Sequence, residues 1–76
     1  RKQEGAIHMT VYYVDRRPDD DGAHLVHREI CTHMPLLQHR ELLGEFPSCE
    51  PALALAKQTF PRANGCYYCS QACHVS

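Results

Sequence analysis

The apolar positions of this chain change period once, from short strand-like runs before Pro47 to a helical stripe after it. Thr10-Val11-Tyr12-Tyr13-Val14 is β-branched and aromatic and predicts a first strand. A polar stretch follows from Asp15 to Gly22, with Arg16, Arg17, Pro18 and three consecutive aspartates. Asp21-Gly22 suits a turn there because Gly tolerates positive φ. The triple Asp lacks the alternating oxygen ligands and distal Glu of a calcium loop, so it reads as a solvated turn. His24-Leu25-Val26-His27-Arg28 predicts a second strand antiparallel to the first. Its alternation puts His24, Val26 and Arg28 on one face and Leu25 and His27 on the other. Met34 to Leu37 forms a short apolar loop, and Arg40 to Phe46 is a third strand candidate with Gly44 as a bulge or close approach.

Ser48 is placed as the N-cap of one helix, in which Pro51 falls at the third position, where its missing N–H is not needed. Cys49, Leu53, Ala56 and Phe60 draw a single apolar stripe, with Lys57 and Gln58 off it. Pro61 stops the helix, Asn64-Gly65 is expected to turn the chain into Cys66, and Ser70 to His74 forms a last helical turn. These elements predict a small α+β fold: a hairpin or short antiparallel sheet, one packed helix, and a zinc-stapled C-terminal knuckle.

Composition sharpens that picture. The chain has 76 residues and is 43% apolar, yet five of the apolar residues are Cys, only two are Phe and none is Trp. A purely hydrophobic core is marginal at this size. One domain is expected over residues 9–76. Residues 1–8 read as a disordered N-terminal segment or as an expression remnant ahead of a native start at Met9. Eight basic residues against nine acidic ones give a net charge of −1, which is not the basic footprint of a nucleic-acid binder. No stretch approaches the roughly 18 apolar residues of a membrane span. Arg1 to His8 also lacks the apolar centre of a signal peptide. Five cysteines, an odd number, argue against a closed disulfide framework and for a reducing, cytoplasmic setting.

The cysteines carry the candidate chemistry. Cys66-Tyr67-Tyr68-Cys69 is a Cys-x2-Cys pair, and His27 and Cys31 form an upstream His-x3-Cys pair. A tight turn brings two such thiolates to one side, and the upstream pair across a strand end supplies two more ligands. Zinc suits mixed nitrogen and sulfur ligation without redox chemistry. The expected ligands are therefore His27, Cys31, Cys66 and Cys69. The first alternative replaces His27 with Cys73 in an all-Cys site, since Cys73 is four residues from Cys69, and sites using His74 are a further option. Without a metal, these would be buried thiols or disulfides. Cys49, on the helical stripe, is taken first as a packed core thiol. A thiol activated at the helix N-terminus and a Cys49–Cys73 disulfide are the other options.

His27-x3-Cys31, a 34-residue spacer holding a helix, and Cys66-x2-Cys69 resemble the metal-binding domain of the Ada DNA-repair protein, which holds zinc with Cys-x3-Cys and Cys-x2-Cys. The resemblance covers residues 24 to 73 in layout, and only the ligand spacing is specific. It implies a fold and a metal site. His27 stands where that family has the Cys that accepts a methyl group from DNA phosphotriesters, so it does not imply alkyl transfer. The run Asn64-Gly65-Cys66-Tyr67-Tyr68-Cys69 is also similar to the ends of small uncharacterised bacterial proteins.

The remaining imidazoles, His8, His24, His33 and His39, read as surface or loop groups, with His33 and His39 as reserve ligands near Cys31. Tyr67 and Tyr68 roof the site, or offer a stacking platform. The function expected is a non-enzymatic zinc module that presents a surface to a protein partner. A nucleic-acid module using Arg16, Arg17, Arg28, Arg40 or Arg62 with the two tyrosines is the first alternative. A thiol redox protein using Cys66 and Cys69 is the second, although redox Cys-x2-Cys pairs normally open a helix beside a βαβ unit.

Overall fold

The computed structural model describes residues 8–75. Of the N-terminal segment expected over 1–8, all but His8 lies outside the described residues. The elements run β1 (Thr10–Asp15), β2 (His24–Arg28), β3 (Arg40–Phe46), α1 (Cys49–Thr59) and β4 (Ala63–Gly65), with 3-10 turns at Leu37–His39 and Gln71–Cys73. The strands form one sheet in the order β3-β1-β2-β4. β1 is antiparallel to both β2 and β3, while β4 lies parallel to β2. The fold is thus small α+β. The sheet is mixed, however, where an antiparallel one was expected, because the chain returns through α1 to add β4 in the same direction as β2.

The turn between β1 and β2 is built by Asp19, the first of its three consecutive aspartates. Asp19 Oδ1 accepts the backbone N–H groups of Asp21 (2.9 Å) and Ala23 (2.8 Å), and Gly22 takes φ +80°. In β3 the pairing with β1 shifts between Tyr12 and Tyr13, so that Gly44 faces Tyr12 while Leu42 faces Tyr13. Gly44, at φ +122°, accommodates this bulge. Leu43 and Phe46 are three residues apart and would face opposite sides of a regular strand. The bulge turns both onto the core.

That core lies between one face of the sheet and α1. Tyr12, Val14 and Val26 from the sheet meet Cys49, Ala52, Ala56, Ala63 and Cys73, with Leu43, Phe46, Leu53 and Phe60 around the edge. The helix begins and ends where expected, at Ser48 and before Pro61, but the Ser48 side chain makes no capping hydrogen bond. Its buried centre is Cys49, Ala52 and Ala56, whereas Leu53 and Phe60 of the predicted stripe are only partly buried. Methyl-sized side chains at Ala52 and Ala56 let the helix approach the sheet closely, and the larger residues close the sides.

Asn64-Gly65, expected as a turn, forms the last two residues of β4 instead. Its register sets His24 opposite Ala63, Leu25 opposite Asn64 and Val26 opposite Gly65. Among the described residues no helix is long and apolar enough to cross a membrane.

Close approach at the helix carries a consequence. Ala52→Leu or Ala56→Leu is expected to overpack the interface and lower stability by about 1–3 kcal/mol. Ala54→Leu, at an exposed helix position, should stay within about 0.5 kcal/mol of the parent. Denaturant unfolding of the three variants measures the difference.

Candidate metal centre

Two half-sites come from opposite halves of the chain. His27 is the fourth residue of β2, paired with Tyr13, and is buried. After β2 the chain turns at once: the Cys31 N–H donates to the Arg28 carbonyl at 3.0 Å and the Met34 N–H to the Cys31 carbonyl at 3.2 Å. This reversal points Cys31 back toward the strand end. The second half-site opens where β4 ends. The Cys66 N–H continues the ladder to the Val26 carbonyl at 3.0 Å, and the Ser70 N–H closes a turn onto the Cys66 carbonyl at 2.9 Å. Cys66 and Cys69 sit on either side of that turn.

Together they meet. One ligand atom each from His27, Cys31, Cys66 and Cys69 lies within 4.8 Å of the others. The Cys31 and Cys66 sulfurs are 3.8 Å apart, and the Cys69 sulfur is 4.0 Å from His27 Nδ1. Two sulfurs each about 2.3 Å from a tetrahedral ion stand about 3.8 Å apart, so the first contact already has the edge length of such a site. The backbone is also poised for sulfur as an anion. The Arg28 N–H donates to the Cys69 sulfur at 3.2 Å and the His33 N–H to the Cys31 sulfur at 3.3 Å. Hydrogen bonds of this kind favour thiolates. The cluster can therefore hold a metal ion.

Burial shapes the protonation of the two upstream groups. It holds the His27 imidazole below its ordinary value; the Asp15 charge opposes this and His33 adds to it. The imidazole is thus kept neutral, the form that ligates. Burial pushes the Cys31 thiol up to about 12, helped by the hydrogen bond with Cys69 and opposed by the His33 N–H; the charges of Cys69 and Cys66 push the same way as burial. A metal entering the cluster must displace that proton.

Of the other candidates, Cys73 is not in the cluster. Its sulfur is bonded to Cys49, which corrects the view of Cys49 as a packed free thiol and takes Cys73 out of the ligand set in this state. Cys31, Cys66 and Cys69 are free. His33 stacks on Tyr68 with ring centroids 3.8 Å apart, and His24 stacks on Phe60 at 4.3 Å. His74 Nδ1 bonds the Gly65 carbonyl at 2.9 Å, so its role is to brace the loop. Tyr67 and Tyr68 lie against one another edge to face on the outside of the site and remain largely exposed.

Gly65 is a residue of the site that spacing alone did not mark for this role. A Cβ there would lie 2.6 Å from the Ser70 carbonyl oxygen and 2.7 Å from the Cys73 carbonyl carbon. The loop carrying Cys66 and Cys69 folds flat against it. The signal in the sequence is a Gly immediately before the first thiol, a pattern that equally fits turn flexibility.

A small α+β domain with a His/Cys cluster able to hold a metal is the class that fold and site define. No family model, curated protein or solved structure matches the chain.

Gly65→Ala is expected to lower stability by about 1–3 kcal/mol, since backbone atoms rather than a mobile side chain must yield. Metal affinity should fall with it. Because Cys31 keeps its proton throughout pH 6 to 8, apparent metal affinity should rise at least tenfold per pH unit across that range. Competition against a chromophoric chelator at several pH values reads this directly; a flat profile would mean that Cys31 does not ligate as a thiolate.

Proposed function

We propose that this domain is a non-enzymatic zinc module in which His27, Cys31, Cys66 and Cys69 hold one structural Zn2+, and that its folded surface serves a protein partner. The observation that carries the proposal is the convergence of one nitrogen and three sulfurs from both halves of the chain within 4.8 Å. Four protein ligands close a tetrahedral site and leave no position for a reactive water. Three thiolates also make a weak Lewis acid, so a structural role suits this donor set better than hydrolysis. The Ada-like spacing agrees with such a role. His27 lacks the nucleophilic sulfur that alkyl transfer would need at that position, so alkyl transfer forms no part of the proposal.

The surface supports a protein partner over a nucleic acid. Ile30, Leu36, Leu37, Tyr67 and Tyr68 are exposed, and residues 66–75 carry no Lys, Arg, Asp or Glu. Four of the five arginines of the nucleic-acid alternative are engaged within the fold, and the Nε of the fifth, Arg28, is buried rather than turned to solvent. Arg16 bonds the Gln38 carbonyl at 2.7 Å, Arg62 the Asp21 carbonyl at 2.6 Å, and Arg40 the Pro35 carbonyl at 3.1 Å while lying over the Tyr13 ring. Arg17 faces Asp15 at 3.6 Å. For location, the three cluster thiols suit a reducing compartment and the Cys49–Cys73 disulfide an oxidising one. A cytoplasmic setting thus rests on the cluster alone.

The full chain, purified without chelators, is expected to carry one zinc per molecule by elemental analysis. Cys31→Ser, Cys66→Ser and Cys69→Ser should each lose it at equilibrium, because a hydroxyl replaces a thiolate poorly. His27→Ala should weaken binding and His27→Cys should retain it. A parent chain without zinc, or full retention in Cys66→Ser, would contradict the proposal.

A further inference from the structure

The C-terminal segment 63–75 is braced mostly within itself. Asn64 bonds the Val75 backbone at both N–H (2.9 Å) and carbonyl (2.7 Å), and His74 Nδ1 bonds the Gly65 carbonyl. The Cys73 N–H donates to the Ser70 carbonyl at 2.9 Å. Its ties to the rest of the fold are few. The three-residue ladder of β4 on β2 is one, and the Cys49–Cys73 disulfide to the start of α1 is another. The third is the cluster, which joins Cys66 and Cys69 to His27 and Cys31, with the Arg28 N–H on the Cys69 sulfur and the Tyr68 ring stacked on His33 beside it. Gly65 lies between the last two: Cys66 follows it in the chain, and Cys73 presses on its Cα side.

We infer that the Cys49–Cys73 disulfide and the metal cluster are thermodynamically linked, so that the disulfide's redox state regulates metal affinity; this rests on the metal site proposed above. Each cross-link fixes the same segment, one to the helix and one to the sheet. Once either is formed, the ordering entropy that the other must overcome is smaller. A metal ion binds more tightly when Cys73 already holds the loop against α1. By reciprocity, bound metal stabilises the disulfide against reduction by the same factor. Both sulfurs are largely buried, so a reductant reaches them when the segment lifts, and metal holds it down. In the step itself a dithiol reductant supplies two electrons and two protons. The Cys49–Cys73 sulfur–sulfur bond breaks to two thiols, and the dithiol closes to its own disulfide.

The test compares zinc affinity in three forms of the full chain: oxidised parent, parent reduced with a water-soluble phosphine, and Cys49→Ala/Cys73→Ala. The phosphine becomes its oxide with the oxygen of one water and adds no thiol to compete for zinc. In the reduced parent both sulfurs remain, which controls for lost packing. In the double variant no freed Cys73 can enter the ligand set. Zinc affinity in the reduced parent and the double variant is expected to fall by about 5- to 150-fold. Equal affinity in all three forms would overturn the linkage and leave the metal site standing. An oxidised parent that binds no zinc would overturn the site itself and the linkage with it. Should the double variant not fold, the reciprocal measurement decides. The ratio of reduced to oxidised glutathione that half-reduces the disulfide must rise on saturating with zinc, and an unmoved ratio contradicts the linkage.

Discussion

The pairing of β4 with β2 is the contact on which the rest of this molecule depends. It is only three residues long, yet its register sets Val26 opposite Gly65. In a parallel ladder the next residues on each strand also stay side by side, so His27 and Cys66 become neighbours on the side of the sheet away from the helix. Turns after each strand then bring in Cys31 and Cys69. A slip of one residue would move Cys66 to the other face and dissolve the cluster. Gly65 guards the register, because any side chain at that position would collide with the loop that must fold over it.

A short parallel edge strand is a weak hold, and the core gives it little help. Two valines, one tyrosine and three alanines make up most of the fully enclosed apolar centre, and the larger Leu and Phe side chains sit at its rim. Burial of that extent leaves a domain of this size near the limit of stability. Covalent and coordinate cross-links act where burial is thin. The disulfide ties the last turn to the start of α1. The proposed zinc would tie the loop before it to the end of β2, so the C-terminal segment would be fixed on both faces.

Much of this was legible from residue order. β-Branched and aromatic runs marked β1 and β2, and β3 occupies the predicted span Arg40–Phe46 with the expected bulge at Gly44. These signals are local: side-chain shape and turn chemistry act within a few residues. The four cluster residues could be grouped by spacing because a tight turn constrains two thiols in a way that repeats between proteins. β4 was hidden for the opposite reason. Asn and Gly disfavour strands, and only the distant partners Leu25 and Val26, with the loop pressed on Gly65, hold them extended. Ala52 falls outside the stripe of Cys49, Leu53, Ala56 and Phe60 because that stripe is centred on the large side chains of Leu53 and Phe60, whereas close helix–sheet contact centres the buried face on Ala52 and Ala56. The disulfide joins residues 24 apart whose meeting depends on that same hidden strand.

The central claim is that four side chains from two distant segments act as one coordination sphere. X-ray absorption at the zinc edge of the loaded, oxidised full chain tests it most directly. The account predicts three sulfurs at about 2.3 Å and one nitrogen at about 2.0–2.1 Å. A shell of four sulfurs, or one built only of oxygen and nitrogen, would contradict it.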